Sequence, residues 1–403
     1  MPRRPHPLAL ALALGVALVA CGEAPTPVPA SLPASFAWSR AAIELPPDVV
    51  EIAPGSTAGA QCSPCHAVQA SLMTAVAATS DGLLAVGLQL PPSEAVAYRS
   101  TDGREWTPEP GFEPGPDTAA LGVAADGDRR VVVGRRGPSA AAWVSDAGAP
   151  WQASSESPDL RAEGSGTAEM RAVVPWHGGW VAVGSVDAGA DHRVAAIWTS
   201  PDGLAWERRT GESGFLGTAA YGIATAGDRL VVVGSSVVGE SGDVALPAVA
   251  WTSDDGSAWT PVESPAFAVG PMRAVAATPA GFVAVGFGID DTRAAAWTSA
   301  DGSTWTAVPE QPAFEALGKP ARMAAVASNG AGLVATGWKS DAGNGSGVVW
   351  RSADGTSWDR VPDQVSMSGA SLAGVAFAGD APIVAGTTGY PDNDQASAWF
   401  EGP

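Results

Sequence analysis

Lysine, histidine and cysteine are scarce in this 403-residue chain, and acidic residues outnumber basic ones. It has 22 Lys+Arg against 42 Asp+Glu, four histidines and three cysteines, and its only lysines are Lys319 and Lys339. An acidic domain of this kind does not bind nucleic acid or anionic lipid headgroups non-specifically. The sequence also has no phosphate-binding loop, no zinc-type histidine pair and no nucleophile elbow. No catalytic residue and no metal ligand is therefore predicted.

A motif with two aromatic residues eight positions apart occurs six times. The pairs are Tyr98/Trp106, Trp143/Trp151, Trp198/Trp206, Trp251/Trp259, Trp297/Trp305 and Trp350/Trp358, and Trp399 is a seventh first member. Successive pairs are 45, 55, 53, 46 and 53 residues apart. Such a period indicates a radial or solenoid repeat architecture.

Each repeat contains four short apolar runs bounded by turn residues. In residues 272–309 they predict strands at Met272–Thr278, Gly281–Gly286, Arg293–Ser299 and Ser303–Val308. Alanine and valine dominate the first two runs, as expected for strands crowded around a central axis. The second run ends on a glycine in all seven copies, which indicates a bend or a close backbone approach. These glycines are Gly87, Gly134, Gly184, Gly234, Gly286, Gly337 and Gly386.

An Asp-Gly turn separates the third and fourth runs in five repeats. Asp-Gly is a strong tight-hairpin signal, since glycine adopts positive φ freely and the carboxylate accepts backbone hydrogen bonds. The repeats resemble the Asp-box of sialidase-like propellers, shortened by one residue; the second repeat, with Ser-Asp-Ala-Gly-Ala-Pro-Trp at 145–151, departs further. The resemblance implies that the turns are folding elements on the face opposite the ligand site. We expect structural roles for Asp102, Asp202, Asp255, Asp301 and Asp354.

The seventh repeat lacks its fourth strand at the C-terminus. The segment from Ser35 aligns with the region around Trp358, so that Trp38 supplies the missing tryptophan. An N-terminal strand would then close the last blade and protect an otherwise open edge. The prediction is an all-β, seven-bladed propeller with four-stranded blades over residues 35–403.

The N-terminus carries an export signal. Arg3 and Arg4 precede the apolar run Leu8–Ala20, and Leu-Val-Ala-Cys at 18–21 resembles the lipobox of bacterial lipoproteins. The resemblance implies cleavage of residues 1–20, diacylglycerol on Cys21, and an extracytoplasmic, membrane-anchored protein. Residues 21–34 then form a lipidated, proline-rich tether. Cleavage removes two arginines and changes the formal net charge from -20 to -22.

A second cysteine motif, Cys62-Ser63-Pro64-Cys65-His66, lies in a predicted long loop over residues 44–71. Two chemistries are the main alternatives for it, and a metal-binding or redox dithiol is a lesser one. Cys62 and Cys65 form a short disulfide in an oxidising compartment, with no cofactor, or they attach c-type haem with His66 as axial ligand. The loop is rich in Pro, Gly and Ala and has little helical periodicity, so the disulfide is favoured.

In a four-stranded blade, the loops after the second and fourth strands lie on the face opposite the Asp-Gly turns. We call this the loop face. Variable loops on a rigid scaffold concentrate binding residues. The candidates are Asp187, Asp191, His192, Arg193, Asp290, Asp291, Arg293, Asp392 and Asp394.

Three functions remain open. The first, which we favour, is a monomeric, non-catalytic module that binds a protein or glycan through the loop face. The second is a haem-bearing electron-transfer lipoprotein. The third is a sialidase-like glycoside hydrolase, which needs an arginine triad, a tyrosine nucleophile and acidic partners. The chain has three tyrosines, and the nearest match to the family's Arg-Ile-Pro signature, Arg360-Val361-Pro362, falls in a predicted outer strand.

Overall fold

Short strands, most of them paired antiparallel, make up most of the residues that the structure describes. A computed structural model of the protein describes residues 37–44, 49–51, 66–68, 70–91, 93–162, 164–187, 193–209, 215–237, 246–315, 320–340, 345–389 and 394–402. These ranges contain four short 3-10 turns and no α-helix, and hence no helix that could span a bilayer.

Seven of the eight sheets are blades that follow one another along the chain. Blade 1 is β5 Ala70–Thr79, β6 Gly82–Leu90, β7 Glu94–Ser100 and β8 Glu105–Pro108. Blade 2 is β9 Thr118–Asp126, β10 Arg129–Arg136, β11 Ser139–Asp146 and β12 Gln152–Ala153. Blade 3 is β13 Thr167–Trp176, β14 Gly179–Asp187, β15 Arg193–Ser200 and β16 Glu207–Arg208. Blade 4 is β17 Thr218–Ala226, β18 Arg229–Ser236, β19 Ala248–Ser253 and β20 Thr260–Val262.

The remaining blades follow the same order. Blade 5 is β21 Met272–Thr278, β22 Gly281–Phe287, β23 Ala294–Ser299 and β24 Thr306–Ala307. Blade 6 is β25 Ala321–Ser328, β26 Leu333–Lys339, β27 Ser346–Ser352 and β28 Trp358–Arg360. Blade 7 is β29 Ala370–Ala378, β30 Ala381–Thr388, β31 Gln395–Glu401 and the N-terminal β1 Trp38–Arg40.

The first strands of the blades contact one another in a closed cycle around the axis, β5–β9–β13–β17–β21–β25–β29 and back to β5. Blade 7 is completed from the other end of the chain, because β1 pairs antiparallel with β31 and aligns Trp38 with Glu401. Trp38 is 4% exposed. The seven-bladed propeller and its closure by an N-terminal strand are therefore confirmed.

The N-terminal segment adds structure that was not predicted. After β1, β2 Ala42–Ile43 pairs parallel with β8 and makes blade 1 five-stranded. Residues 44–71, predicted as a loop, contain a parallel pair of β3 Val49–Glu51 and β4 His66–Val68, and β5 already begins at Ala70. The predicted outer strand Ser303–Val308 was too long, since β24 has only two residues.

Cys21, Cys62 and Cys65 lie outside the described residues, and His66 is described only as backbone. Lipidation, the signal peptide, the tether, the disulfide and haem attachment therefore remain predictions.

Tryptophans on the third strands hold neighbouring blades together. In four blades the indole Nε1 donates a hydrogen bond to a carbonyl in a 3-10 turn of the preceding connection, at 2.7–2.9 Å. Each of these turns also buries one apolar side chain. The tryptophans are Trp198, Trp297, Trp350 and Trp399, and the buried residues are Leu160, Phe267, Phe314 and Met367.

Candidate functional site

The innermost strand of every blade contains a one-residue bulge near its loop-face end. In blade 4, Ala220 pairs with Gly234 and Gly222 pairs with Val233, which leaves Tyr221 unpaired between them. A Cβ on Gly234 would lie 1.9 Å from the carbonyl oxygen of Ala219, so only glycine fits opposite the bulge. The seven bulged residues are Thr74, Leu121, Arg171, Tyr221, Arg273, Ala324 and Ala373.

All seven bulged residues line a central channel with a cavity volume of about 390 Å³. Their sizes differ around the ring. Blades 3, 4 and 5 contribute Arg171, Tyr221 and Arg273, whereas blades 6 and 7 contribute Ala324 and Ala373. The free space of the channel therefore lies beside Ala324 and Ala373, and the guanidinium groups of Arg171 and Arg273 and the phenol of Tyr221 fill the side formed by blades 3 to 5.

Around blades 3 to 6, arginines and aromatic rings alternate. Guanidinium carbons lie 5.6 Å (Arg171) and 4.3 Å (Arg273) from the Tyr221 ring centroid. The series continues with Arg273 at 5.7 Å and Arg322 at 4.8 Å from the ring of Phe287. It ends with Arg322 at 5.8 Å from a ring of Trp338. We call these six residues the cation–aromatic ladder; contacts of this kind hold guanidinium groups in place.

Two of the three ladder arginines are already neutralised by carboxylates. Arg171 is paired with Glu169, and Arg322 with Asp291. Within the part of the chain that the structure describes, Arg273 forms no ion pair. The ladder thus has one uncompensated positive charge, at its centre and facing the channel.

The charges of the ladder also act on Tyr221. Burial opposes ionisation of the phenol, but the positive charges of Arg273 and Arg171 and a hydrogen bond from Ser235 outweigh it. The pKa of Tyr221 is therefore lower than its usual value of 10.0.

Most predicted loop-face charges are engaged within the protein. Asp187 lies 3.4 Å from Arg193 at the end of the same hairpin. Arg293 contacts Glu310, and its guanidinium lies 4.0 Å from Asp290. Asp291 is paired with Arg322, as described above.

Asp394 is partly buried, and burial raises the pKa of its carboxyl group. Asp191, His192 and Asp392 lie outside the described residues. Among the loop-face candidates that the structure describes, Asp291 alone contacts the ladder, through Arg322.

The Asp-Gly turns lie on the opposite face, and their polar groups are used internally. In blade 5, Asp301 Oδ1 accepts hydrogen bonds from the backbone N–H groups of Ser303 and Thr304, at 2.9 and 2.8 Å. The Ser299 hydroxyl accepts one from Gly302 N–H at 2.8 Å, and Trp305 Nε1 donates to the Gly302 carbonyl at 2.8 Å. Asp202, Asp255 and Asp354 bind two backbone N–H groups in the same way.

The Asp102 carboxylate accepts one such backbone hydrogen bond instead of two, from Arg104 N–H. No group of three or more metal-ligating side chains occurs within the described ranges. The geometry thus agrees with a structural role for these turns.

The sequence interpretation missed Arg171, Tyr221 and Arg273. One sequence feature marks them: in the first strand, each follows a buried residue and precedes Ala or Gly, as in Met170-Arg171-Ala172 and Met272-Arg273-Ala274. Without the bulge, these side chains could not be assigned to the channel.

No family model and no curated protein sequence matches this chain. Among solved structures, YCF48 bound to D1 peptide is similar, with 14% identity, a TM-score of 0.54 and coverage of 83% of this chain and 93% of that one. Trypanosoma rangeli sialidase is similar with 11% identity, a TM-score of 0.49 and 90% coverage of this chain. Its complex with the inhibitor DANA gives 12% identity, a TM-score of 0.48 and 83% coverage. This chain spans 59% and 55% of the length of those two sialidase chains. At these identities the likeness is one of fold: the chain is a seven-bladed β-propeller with sialidase-like structural neighbours.

Proposed function

We propose that the protein is a non-catalytic binding module that receives a carboxylate group of its partner at the loop-face mouth of the central channel. The observation that carries this proposal is Arg273, a half-buried guanidinium held between the rings of Tyr221 and Phe287 with no acidic partner among the described residues. A guanidinium presents several N–H donors to a carboxylate, and the partly buried site strengthens their attraction.

The free space of the channel supports the same function. Ala324, Ala373 and Gly374, on the next two blades of the ring, leave room beside Arg273, so a bound group can approach without displacing a side chain. Peptide binding is compatible with this fold, since YCF48 was solved with a D1 peptide.

A sialidase-like hydrolase is the second candidate, because Tyr221 lies between two arginines and has a lowered pKa. Glycoside hydrolysis also needs a carboxylic acid that can protonate the leaving group. The carboxylates that pair with ladder arginines, Glu169 and Asp291, are both held in ion pairs. Neither is free to act as that acid, so binding without hydrolysis is favoured.

We further propose that Cys21 anchors the module to the outer surface of a membrane. β1 pairs antiparallel with β31, and Trp38 is aligned with Glu401 at the Asp-Gly turn face. The chain therefore enters β1 from that face. A tether from Cys21 would join the propeller on the turn face, and the channel mouth opens on the opposite face.

Binding of N-acetyl-glutamate α-amide, measured by ligand-observed NMR, tests the proposal. We expect binding to the wild type, loss of at least about tenfold in affinity with Arg273→Ala, and no binding of the glutamine analogue. Arg136→Ala is the matched control, because Arg136 is also a loop-face arginine near an aromatic ring, 5.8 Å from Trp143, without an ion pair in the described residues.

A fluorogenic α-sialoside should not be hydrolysed. Equal binding of the glutamine analogue, or turnover of the sialoside that is lost in Tyr221→Phe, would contradict the proposal.

A further inference from the structure

Four of the five large apolar side chains that are exposed within the described residues lie on the loop face. They are Leu90, Leu216, Val269 and Ile289, with exposed fractions of 37%, 71%, 38% and 42%. The fifth, Val365, is 95% exposed and lies between Gln364 and Ser366, whose side chains contact the backbone of Trp38 at the turn-face end of β1. Single exposed apolar residues are ordinary, but the concentration of four on one face marks that face as an interaction surface.

Three of the five lie over the blades that carry the ladder. Leu216 is in the connection between blades 3 and 4, and Val269 is in the connection between blades 4 and 5. Ile289 follows the second strand of blade 5, and its backbone N–H donates to the Val269 carbonyl at 2.6 Å. Leu216 is thus on one side of the Tyr221 blade, and Val269 and Ile289 are on the other.

Along the rim, the apolar side chains lie on both sides of blade 4. On the channel side of this blade, the Arg273 guanidinium carbon lies 4.3 Å from the Tyr221 ring centroid, and Arg273 is the one ladder arginine without an ion pair in the described residues. A glycan would place hydroxyl groups against Leu216 and Ile289 and gain little from burying them. A peptide with apolar side chains on both sides of an acidic residue matches all three parts of the surface.

Resting on the function proposed above, we infer that the partner is a protein segment in which one Asp or Glu side chain is flanked on both sides by large apolar residues. The acidic side chain enters the channel mouth toward Arg273. The apolar residues cover Leu216 on one side and the Val269–Ile289 pair on the other. The segment crosses the loop face from blade 3 to blade 5 and does not end in the channel, because apolar contacts lie on both sides of blade 4.

Three peptides blocked at both ends provide the probes: acetyl-Leu-Ala-Glu-Ala-Leu-amide, the same peptide with Gln in place of Glu, and the same peptide with Ser in place of both Leu. Calorimetry with wild type, Leu216→Ser, Ile289→Ser and the control Val365→Ser measures affinity. We expect the Leu/Glu peptide to bind the wild type most tightly. Replacing both Leu by Ser in the peptide should lower the affinity by about threefold to tenfold. Leu216→Ser or Ile289→Ser in the protein should lower the affinity for the Leu/Glu peptide by the same factor. Val365→Ser, in the connection between blades 6 and 7 and away from the loop face, should leave the affinity unchanged.

The outcomes separate the two proposals. If the Ser/Glu peptide binds as tightly as the Leu/Glu peptide, or if Leu216→Ser and Ile289→Ser have no effect, the apolar docking surface is wrong and carboxylate capture stands. If the Gln peptide binds as well as the Glu peptide, or if no peptide binds, the proposed function itself fails. A peptide that binds only with a free C-terminal carboxylate would also overturn the inference and would favour a chain end as the ligand.

Discussion

Tyr221 is subject to two opposing effects, burial and the positive charge of its neighbours. Because the charges dominate, its folded-state pKa lies below that of a tyrosine in the unfolded chain. The phenolate then contributes stability that is fully present above the unfolded-state value of about 10 and is lost as the pH falls through the lower folded-state value. We expect the ultraviolet absorbance titration of wild type minus that of Tyr221→Phe to show a phenolate that forms below pH 10.

The same experiment identifies the cause of the shift. Arg273→Gln should move the Tyr221 titration toward higher pH, since it removes the larger of the two arginine charge effects on the phenol. Arg136→Gln, on a distant blade, should leave the titration in place. Carboxylate binding should weaken as Tyr221 ionises, because the phenolate neutralises Arg273. A titration centred at or above the usual tyrosine value would contradict this description of the site.

At the scale of the element, the bulge in each first strand is what directs a side chain into the channel. Gly134 lies opposite the bulge at Leu121, and a Cβ there would lie 1.9 Å from the Ala119 carbonyl oxygen. We expect Gly134→Ala to lower the free energy of unfolding by about 1–3 kcal/mol, because the backbone must move to relieve the overlap. Chemical denaturation measures this loss.

Gly148→Ala is the control for the bulge. Gly148 has φ of 77° but no atom within 4 Å of an added Cβ, so only the backbone conformation is penalised, by about 1 kcal/mol. If both variants lost the same stability, close approach would not explain the repeated glycine.

The Asp-Gly turn gives a second prediction at this scale. Hydrogen bonds from Thr304 N–H, the Ser303 hydroxyl and Ser303 N–H hold the pKa of Asp301 well below its usual range. Its contribution to stability is therefore present above the unfolded-state pKa of about 3.9 and is lost as the pH falls. We expect Asp301→Asn to lower the melting temperature at neutral pH and the difference from wild type to shrink in acid.

Asp359→Asn is the matched substitution, since Asp359 is exposed and has no hydrogen bond or ion pair from its carboxylate among the described residues. It should leave the melting temperature unchanged at both pH values. An Asp301→Asn effect that is constant with pH would mean that the turn does not depend on the ionised carboxylate.

The elements differ in how far the sequence could predict them. Strand β21 was predicted to the residue at Met272–Thr278, because its turn residues and apolar run are both local signals. The bulge at Arg273 was not, since it depends on pairing with Gly286 in another strand. Side-chain periodicity assumes an unbroken ladder, and one inserted residue changes which face a side chain occupies. The repeats therefore predicted the blades. Identifying the residues that line the channel required the register in which the strands pair.

At the scale of the whole molecule, the two ends of the chain together complete blade 7. Gly402 N–H donates to the Ala37 carbonyl at 2.9 Å, next to the Trp38–Glu401 pair. In blade 6 the equivalent pair, Ser352 and Trp358, is joined directly by residues 353–357, Ala-Asp-Gly-Thr-Ser. Blade 7 thus has the geometry of an ordinary blade whose Asp-Gly turn has been replaced by the two separate ends of the chain.

This equivalence predicts that a circular permutant folds. Residues 70–401, followed by Ala-Asp-Gly-Thr-Ser and then residues 38–44, would present blade 7 as four consecutive strands. We expect a single cooperative transition at a melting temperature equal to or above that of wild type, since a five-residue turn replaces a long-range closure and lowers its entropic cost. Calorimetry and the Tyr221 titration together measure stability and the integrity of the channel.

Two controls make the result decisive. Residues 70–401 alone expose the edge of β31, and we expect them to aggregate or to melt well below wild type because closure is lost. The permutant with Trp38→Ala should lose about 3–5 kcal/mol, since it removes a buried indole from the restored blade. If the permutant were no more stable than residues 70–401 alone, β1 would not act as the fourth strand of blade 7, and the ring would need residues 45–69 to close. If it is stable, the ring closes through β1 itself and does not need residues 45–69.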